Sequence, residues 1–373
     1  MNPVDAVDAD DAALASGEAW DAFCDSLKRA GRTILAHAPD SPLDRAEGVR
    51  YLTRLTRLAW KLCLEHADPA APELIQYMGP TQKFGVDNPD QLYLWARIAG
   101  RYAYRLHGTR GSAAYLGIGV YGGSAGRGGR RTIAHVHGEQ LAAGAGDTLD
   151  VVLAAERPAG AANWIPLEAD ATTLLVRQTR NDPSRETLGA LRLDRIDAPV
   201  RPEPLTPARV AKGLARAAQQ IEGSIAMFVA LAERWRARPN VLHPMDERMA
   251  KESFGDPDLY YSGGYWRLAP EEALVVDLVP PRCRYWSFLL CNYWTESLEY
   301  RWRPVWTNGH RAVRRADGSV RIVVAERDPA LPGVTWLDTE GHREGTMTLR
   351  WLLADATPVP SPRVVRAADL AAL

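Results

Sequence analysis

The chain has 373 residues, of which 46% are hydrophobic and 24% charged, so it can bury several cores and wholesale disorder is excluded. Its 45 basic and 46 acidic residues leave a net charge of −1, which argues against a nucleic-acid-binding protein that works by bulk charge. No apolar run approaches the ~18 residues of a membrane span.

The start of the chain carries no export signal. Residues 1–5 include an acidic side chain, and no apolar run follows them. We therefore expect no signal peptide and a cytoplasmic protein. None of the four cysteines belongs to a C-x-x-C pair, so we expect free or buried thiols at Cys24, Cys63, Cys283 and Cys291.

Residues 1–75 are predicted to form an N-terminal helical segment. Apolar side chains such as Trp20 and Phe23 recur at intervals of three and four residues, which is typical of one face of a helix. Asp44 and Glu47 have the spacing of a capping box at the start of a second helix.

Residues 76–200 are predicted to form a first β-sandwich. Short apolar strands separated by turns, without helix-length crossovers, favour antiparallel sheets. The glycine-rich stretch 122–129, flanked by Arg130 and Arg131, predicts a hairpin tip, with an anion-binding loop as the alternative. The predicted strands are 92–98, 102–106, 114–121, 133–136, 149–154, 172–178 and 191–196.

Residues 201–255 are predicted to form a long helix and a linker. Thr206 is a suitable N-cap and Pro207 fits the first helical position. The apolar spacing continues to Trp235, and Pro239 ends the helix. We expect a spacer between two sheet domains with one side packed on a sheet, the alternative being a dimer seam.

Residues 256–373 are predicted to form a C-terminal β-sandwich, with strands at 273–279, 284–290, 311–314, 320–325 and 347–353. Asp317–Gly318 marks a hairpin turn. The predicted fold class is mainly β with helical additions (α+β), comprising two antiparallel jelly-roll-like β-sandwich domains. No internal repeat is evident from the residues.

The last third of the chain contains seven of the twelve tryptophans. Buried core is the ordinary role of such aromatics, but they also wall ligand sites. Polar residues are interleaved with aromatic ones directly after a predicted strand, a pattern that suits a cleft rim better than a strand core. The predicted substrate-binding residues are Asn292, Tyr293, Trp294, Trp302, Trp336 and Arg343.

Three loops of the same region carry residues suited to acid–base chemistry. Histidine titrates near neutral pH, and a carboxylate can act as a partner acid or base. We predict that the loops meet and bring together the catalytic candidates Glu296, His310, Asp338 and His342. The alternative is three unrelated surface turns with solvated charges.

His135 and His137 form an H-x-H pair on a predicted strand, and Glu139 continues the same alternation. Side chains two residues apart share a face, so the trio could begin a metal site of the cupin-like kind. Exposed polar strand positions have the same spacing. We therefore predict no bound metal and keep a metal-dependent enzyme as a third alternative.

Several motifs resemble a bacterial family. They are Asp87–Asn88–Pro89–Asp90 with Tyr93, Asn163–Trp164–Ile165–Pro166–Leu167, Tyr285–Trp286 with Asn292–Tyr293–Trp294, and Trp336–Leu337–Asp338 before Gly341–His342. In these motifs the chain resembles proteins that carry the domain of unknown function numbered 1214, which some relatives pair with a companion domain numbered 1254. The resemblance implies β-sandwich domains with added helices. It implies no reaction, substrate or catalytic residue.

The first functional hypothesis is an enzyme, a hydrolase or glycosidase for instance, that uses acid–base chemistry on a small apolar or sugar-like molecule. Its site would be the tryptophan-lined cleft of the C-terminal sandwich. The alternative is a non-catalytic ligand-binding or scaffold protein. We predict a small-molecule ligand, no cofactor, no nucleic-acid or membrane partner, and keep a homodimer as an option.

Overall fold

The computed structural model describes residues 3–124, 129–142, 144, 146–246 and 255–373. Four α-helices occur in these ranges: α1 (Pro3–Ala15), α2 (Glu18–His37), α3 (Pro42–Trp60) and α4 (Pro207–Arg236). Shorter turns extend α3 or follow strands, namely a π-helical turn at Lys61–Glu65 and 3-10 turns at Gly138–Gln140 and Ala367–Ala372.

The first sandwich contains nine strands in two sheets. One sheet has the order β1-β2-β8-β4-β5 and the other β7-β6-β3-β9, and only the β6–β7 pair is parallel. The strands are β1 (Ile75–Met78), β2 (Gln91–Arg97), β3 (Tyr104–Thr109), β4 (Tyr115–Ser124), β5 (Gly129–His137), β6 (Thr148–Ala154), β7 (Trp164–Pro166), β8 (Ala171–Thr179) and β9 (Leu191–Arg195).

The second sandwich also contains nine strands in two sheets. Their orders are β10-β11-β17-β13-β14 and β16-β15-β12-β18, and the β15–β16 pair is parallel. The strands are β10 (Val241–Pro244), β11 (Leu259–Arg267), β12 (Glu272–Leu278), β13 (Tyr285–Leu290), β14 (Trp306–Asn308), β15 (Val320–Ala325), β16 (Val334–Asp338), β17 (Glu344–Leu352) and β18 (Arg363–Arg366).

The two sandwiches have the same topology. Adding nine to each strand number of the first sandwich reproduces both sheet orders of the second, including the parallel pair. The expectation of no internal repeat is therefore wrong at the level of topology. The repeat is not predicted from the sequence because the matching strands share few identical side chains.

Alternation along the strands gives each sandwich its own core. In β8, Leu174 and Val176 face the core between the two sheets, whereas Leu175 faces the helices. In β17, Leu349 and Trp351 enter the second core. The outer faces of the two five-stranded sheets are consequently free to meet each other and the helices. The predicted fold class, two antiparallel β-sandwiches with added helices, is confirmed; the jelly-roll label stays a prediction.

Helix α4 begins and packs as its sequence indicates. The Thr206 hydroxyl accepts a hydrogen bond from the backbone N–H of Arg209 at 3.3 Å, and Pro207 follows it. The apolar side of α4 packs against α2, α3 and both five-stranded sheets. At its C-terminal end, Trp235 lies against Gly263 of β11. The helix therefore joins the two sandwiches and covers their junction.

The start of α3 differs from the prediction. Its N-cap is Ser41, whose hydroxyl accepts from the Asp44 N–H at 3.3 Å. Asp44 and Glu47 form no capping box, because both side chains are buried against the C-terminal sandwich. Asp44 and Glu47 have the spacing of a helix cap, but in the structure they form a contact between domains.

Several predicted elements lie elsewhere. Residues 311–314 form no strand, and only Arg314 makes an isolated bridge, to Val320. The edge strand β10 lies inside the predicted linker 201–255. Residues 125–128 of the glycine-rich loop, including Arg127, lie outside the described residues.

Two further findings concern membrane-spanning helices and the cysteines. None of the helices in the described ranges has the length and apolar character that a bilayer crossing requires. The four cysteines are all free thiols.

We predict that Gly263→Ala destabilises the fold by about 1–3 kcal/mol, since overpacking a core costs this much. An added Cβ would lie 2.1 Å from Trp235 Cζ2, inside a buried contact. The matched control is Gly223→Ala on the exposed side of α4, where no atom lies within 4 Å. There we expect a gain of about 0.5–1 kcal/mol from helix propensity. Urea unfolding midpoints measure both, and equal effects of the two substitutions would contradict the packing.

Candidate functional site

The two sandwiches exchange polar contacts through a pair of corresponding loops. The loop Asn88–Pro89–Asp90 precedes β2, and Asp256–Pro257–Asp258 precedes β11. Tyr285 of the second sandwich donates to Asp90 at 2.7 Å, and Tyr115 of the first donates within the pair Asp256 and Asp258 at 2.9–3.0 Å. Each domain thus supplies the phenol that contacts the other domain's loop.

Strand register identifies two equivalent arginines at this junction. Arg177 of β8 stands opposite Tyr93 in β2, and Arg350 of β17 stands opposite Tyr261 in β11. Both arginines are buried, on strands that are buried along almost their whole length. Because alternate residues of these strands face the sandwich cores, both arginines face the junction.

A pocket lies between these equivalent residues. Its walls include three matched pairs, and α4 closes it with Met227, Phe228 and Leu231. The volume of this cavity is about 70 Å³. The pairs are Met78 with Met245, Tyr93 with Tyr261, and Arg177 with Arg350.

Arg350 is a charged group of this pocket with spare hydrogen-bonding capacity, and the Thr348 hydroxyl beside it also has no partner among the described residues. Its side chain is 3% exposed, and Nη2 donates to the carbonyl of Val86. Its Nη1 has no hydrogen-bond partner among the described residues. The guanidinium also lies over the ring of Tyr261, with Cζ 5.8 Å from the ring centroid. Arg177 donates to the Tyr121 hydroxyl at 3.0 Å.

The pocket wall includes strained backbone. Val86 has a φ of 59° and Thr295 a φ of 59°, which is a left-handed conformation that β-branched residues rarely adopt. The Val86 N–H donates to the Thr295 carbonyl at 2.7 Å, while Arg350 holds the Val86 carbonyl. Strain of this kind concentrates at ligand sites, where the surrounding contacts determine the backbone.

A larger groove adjoins the pocket along the outer face of the first five-stranded sheet. The volume of the groove is about 660 Å³, and it shares Tyr77, Met78 and Phe228 with the pocket. Its near wall is apolar. Its far part carries arginines, among them Arg97 and Arg101.

The predicted aromatic and polar run forms a buried contact with α3. The Asn292 side chain donates to Glu47 at 2.9 Å, and His342 Nε2 lies 2.9 Å from the same carboxylate oxygen. Glu296 accepts from Arg54 at 2.8 Å. Its other oxygen lies 3.4 Å from Asn292 Nδ2. The structure thus brings Asn292, Glu296 and His342 together, in a hydrogen-bond network between domains.

The neighbouring aromatics are part of the same contact. Trp294 Nε1 donates to the Asp44 carbonyl at 2.8 Å, and its ring stacks on Tyr51. Tyr293 donates to Glu233 of α4 at 2.6 Å. These residues attach the helices to the second sandwich, which is why polar groups are interleaved with aromatic ones.

The other predicted site residues have separate partners. Trp302 is 80% exposed. The remaining four each contact a different group: His310 with Asp182 at 3.5 Å, Trp336 with the Ala325 carbonyl at 2.9 Å, Asp338 with Arg303 at 2.7 Å and Arg343 with Glu326 at 2.7 Å. In the described part of the chain these four residues therefore have partners outside the hydrogen-bond network of Glu296 and His342. Their proposed roles stay predictions.

The H-x-H pair has a different third member from the predicted one. Glu139 forms an ion pair with Arg284, at the surface. His135 instead lies 3.1 Å from Asp256, and His137 lies 3.4 Å from Asp258. The carboxylates come from the other sandwich, so spacing along one strand could not indicate them.

Burial sets the protonation behaviour of the α3 network. Burial raises the pKa of Glu296 to about 7, against the opposing charge of Arg54. Burial alone would raise the pKa of Glu47, but its hydrogen bond with His342 brings it below the ordinary value. Burial alone would lower the pKa of His342, but the Glu47 carboxylate raises it.

Comparisons with known proteins agree with this architecture. A family model described as protein of unknown function (DUF1214) matches residues 273–356. The crystal structure of an uncharacterised protein from Burkholderia cenocepacia is similar at 43% identity and a TM-score of 0.92, over 96% of this chain and 100% of that one. A protein from Vibrio parahaemolyticus shares the fold at 13% identity and a TM-score of 0.51, over 85% of this chain and 98% of its own. No curated protein matches the chain.

We predict that Glu296→Gln changes the pH dependence of stability. A carboxyl whose folded pKa lies near 7, above its ordinary 4.5, contributes less stability as pH rises through that window. The free energy of unfolding of the variant relative to the wild type should therefore rise by about 1–3 kcal/mol between pH 5 and pH 8. Urea unfolding of both proteins at the two pH values measures this. A difference that does not vary with pH would contradict the assignment.

Proposed function

The chain belongs to the DUF1214 family of proteins of unknown function, and we propose that it binds a small molecule carrying a carboxylate. The site is the pocket between the two sandwiches. Arg350 carries the proposal. A buried guanidinium with an unpartnered Nη1 in a cavity wall is costly unless an acceptor completes it.

The chemistry of the wall selects a carboxylate among acceptors. A guanidinium presents parallel N–H donors that match a carboxylate in bidentate geometry. The second guanidinium, Arg177, adds positive potential from the opposite wall. The pocket's small volume suits the head of a ligand rather than a whole sugar.

The adjoining groove has room for an apolar part of the proposed ligand. Phe228 and Met227 of α4 line both the pocket and the groove, so one molecule can extend from one into the other. Methionine and aromatic side chains adapt to apolar groups of varied shape. We therefore propose an amphipathic acid, with its carboxylate at Arg350 and its hydrocarbon part against α4.

An acid–base enzyme is the second candidate, and one observation favours it. The pKa of Glu296 is raised to about 7 by burial, a value suited to proton transfer near neutral pH. Against it, Glu296 is 0% exposed and is held by Arg54 and Asn292. Hydrolase activity, a cytoplasmic location and a homodimer stay predictions.

We predict that hexanoate and benzoate bind to the purified protein, whereas hexanamide and benzamide, which lack the charge, do not. Arg350→Gln should weaken carboxylate binding by about 10-fold or more, because a charge-assisted hydrogen bond contributes about 1.5–3 kcal/mol. Isothermal titration calorimetry, supported by thermal shift, measures the affinities.

The matched control is Arg343→Gln, which removes a surface guanidinium paired with Glu326. It should leave carboxylate binding unchanged. Equal affinity for acids and amides, equal effects of the two arginine substitutions, or no binding by any of these acids would each contradict the proposal.

A further inference from the structure

A mixed cluster of histidine and carboxylate side chains lies where the second sandwich's loop meets β5. One ligand atom from each of His135, Asp256 and Asp258 lies within 4.8 Å of the other two. His135 Nε2 is 3.1 Å from Asp256 Oδ1. His137 Nδ1 is 3.4 Å from Asp258 Oδ2, and it is buried without a hydrogen-bond partner.

Among the described residues, the two carboxylates of this cluster share one hydroxyl donor, and the Asp258 N–H also donates to Asp256 Oδ1 at 3.0 Å. The Tyr115 hydroxyl lies 2.9 Å and 3.0 Å from the two oxygens of Asp256 and 3.0 Å from Asp258 Oδ2. A phenol has one proton, so it can donate to one of these oxygens at a time. Two carboxylates therefore converge on a single hydroxyl, with the two histidines beside them.

The corresponding place in the other half of the molecule has other side chains where this half has histidines. Register matches His135 with Trp306, His137 with Asn308 and Tyr115 with Tyr285. Asp90, the counterpart of Asp258, accepts from all three of these donors, at 2.7–3.3 Å.

The counterpart of Asp256 is uncharged Asn88, whose side chain hydrogen-bonds the Tyr285 hydroxyl. There, one carboxylate is matched by N–H and O–H donors. The same loop also holds a second buried carboxylate, Asp87, which accepts from Ser297 and on which the charge of Arg350 acts. Arg177, whose charge acts on Asp256, and Arg350 occupy the same register position in the two repeats.

From this comparison we propose that His135, Asp256 and Asp258 bind a divalent transition-metal ion. Imidazole nitrogen and carboxylate oxygen are ligands of Zn²⁺ and of Fe²⁺, Co²⁺ or Mn²⁺. The ion places a positive charge between the two carboxylates that converge on the Tyr115 hydroxyl. His137, on the same strand, is adjacent and provides either a fourth ligand or a partner for Asp258.

The site joins the two sandwiches, since the histidine comes from the first and both carboxylates come from the second. Metal binding should therefore stabilise the contact between the domains as well as the loop itself. Arg350, which is proposed to hold the carboxylate ligand, is not a ligand of this site, although the charge of Arg177 acts on Asp256 and Arg177 also lines the pocket.

The test uses the full chain, free of any affinity tag, stripped with a chelator and then reloaded with Zn²⁺ or Co²⁺. We expect one equivalent of Zn²⁺ per chain by mass spectrometry of the desalted protein, and a visible d–d absorption band with Co²⁺. Zn²⁺ should also raise the melting temperature.

Two variants locate the ion. Asp256→Asn gives this half the uncharged residue found at Asn88, and His135→Gln removes the nitrogen ligand. Each should weaken Zn²⁺ binding by about 100-fold or more, beyond the range seen for outer-shell changes. The matched control is Asp182→Asn, which removes a carboxylate from the exposed contact with His310 and should leave binding unchanged.

Retention of well under one equivalent of either ion by the reloaded wild type would overturn the proposal. So would unchanged affinity in a folded Asp256→Asn or His135→Gln protein, verified by circular dichroism. A cluster balanced by a protonated imidazole instead of a metal would give the first of these outcomes.

Discussion

The structure depends on the reciprocal contact between the two loops and the two phenols. A carboxylate buried between domains is stable only if donors surround it. Burial raises the pKa of Asp90 even so, which shows how strongly the interface excludes water. Each domain supplies the donors for the other's loop, so neither loop is satisfied alone. This mutual requirement fixes the orientation of the sandwiches, as an isologous contact does in a two-fold dimer.

That orientation explains the position of the pocket. With the loops crossed, the outer faces of both five-stranded sheets turn toward the same space, and the strand register places Arg177 and Arg350 on its opposite walls. Helix α4 then covers the space with apolar side chains. The cavity is thus a product of the domain arrangement, and neither sandwich forms it alone.

The sequence predicted what depends on local periodicity. Strand alternation gave the two sandwiches, and Thr206 with Pro207 gave the start of α4. It could not predict which loops meet, because contacts such as Glu47 with His342 join residues almost three hundred positions apart. The polar and aromatic residues around Trp294 were interpreted as a cleft rim, but the same composition suits a buried contact with a helix.

Two features of the sequence point, weakly, to the residues that line the pocket. Arg177 follows the apolar run Leu174–Val176, and Arg350 lies between Leu349 and Trp351, although arginine is uncommon at buried positions. The two Pro–Asp loops before β2 and β11 are a second sign, because both precede a strand with tyrosine at the same offset. Comparing the halves of the chain with each other would have found both features, whereas motif-by-motif reading did not.

Duplication within one chain has a consequence for recognition. A cavity on the axis of a true homodimer must have identical walls, so it cannot distinguish the head of a bound molecule from its tail. Here the halves are covalently joined and have diverged: Thr348 stands in the wall at the register position of Leu175. The molecule keeps the geometry of a symmetric pair, yet it can impose a single polarity on what it holds.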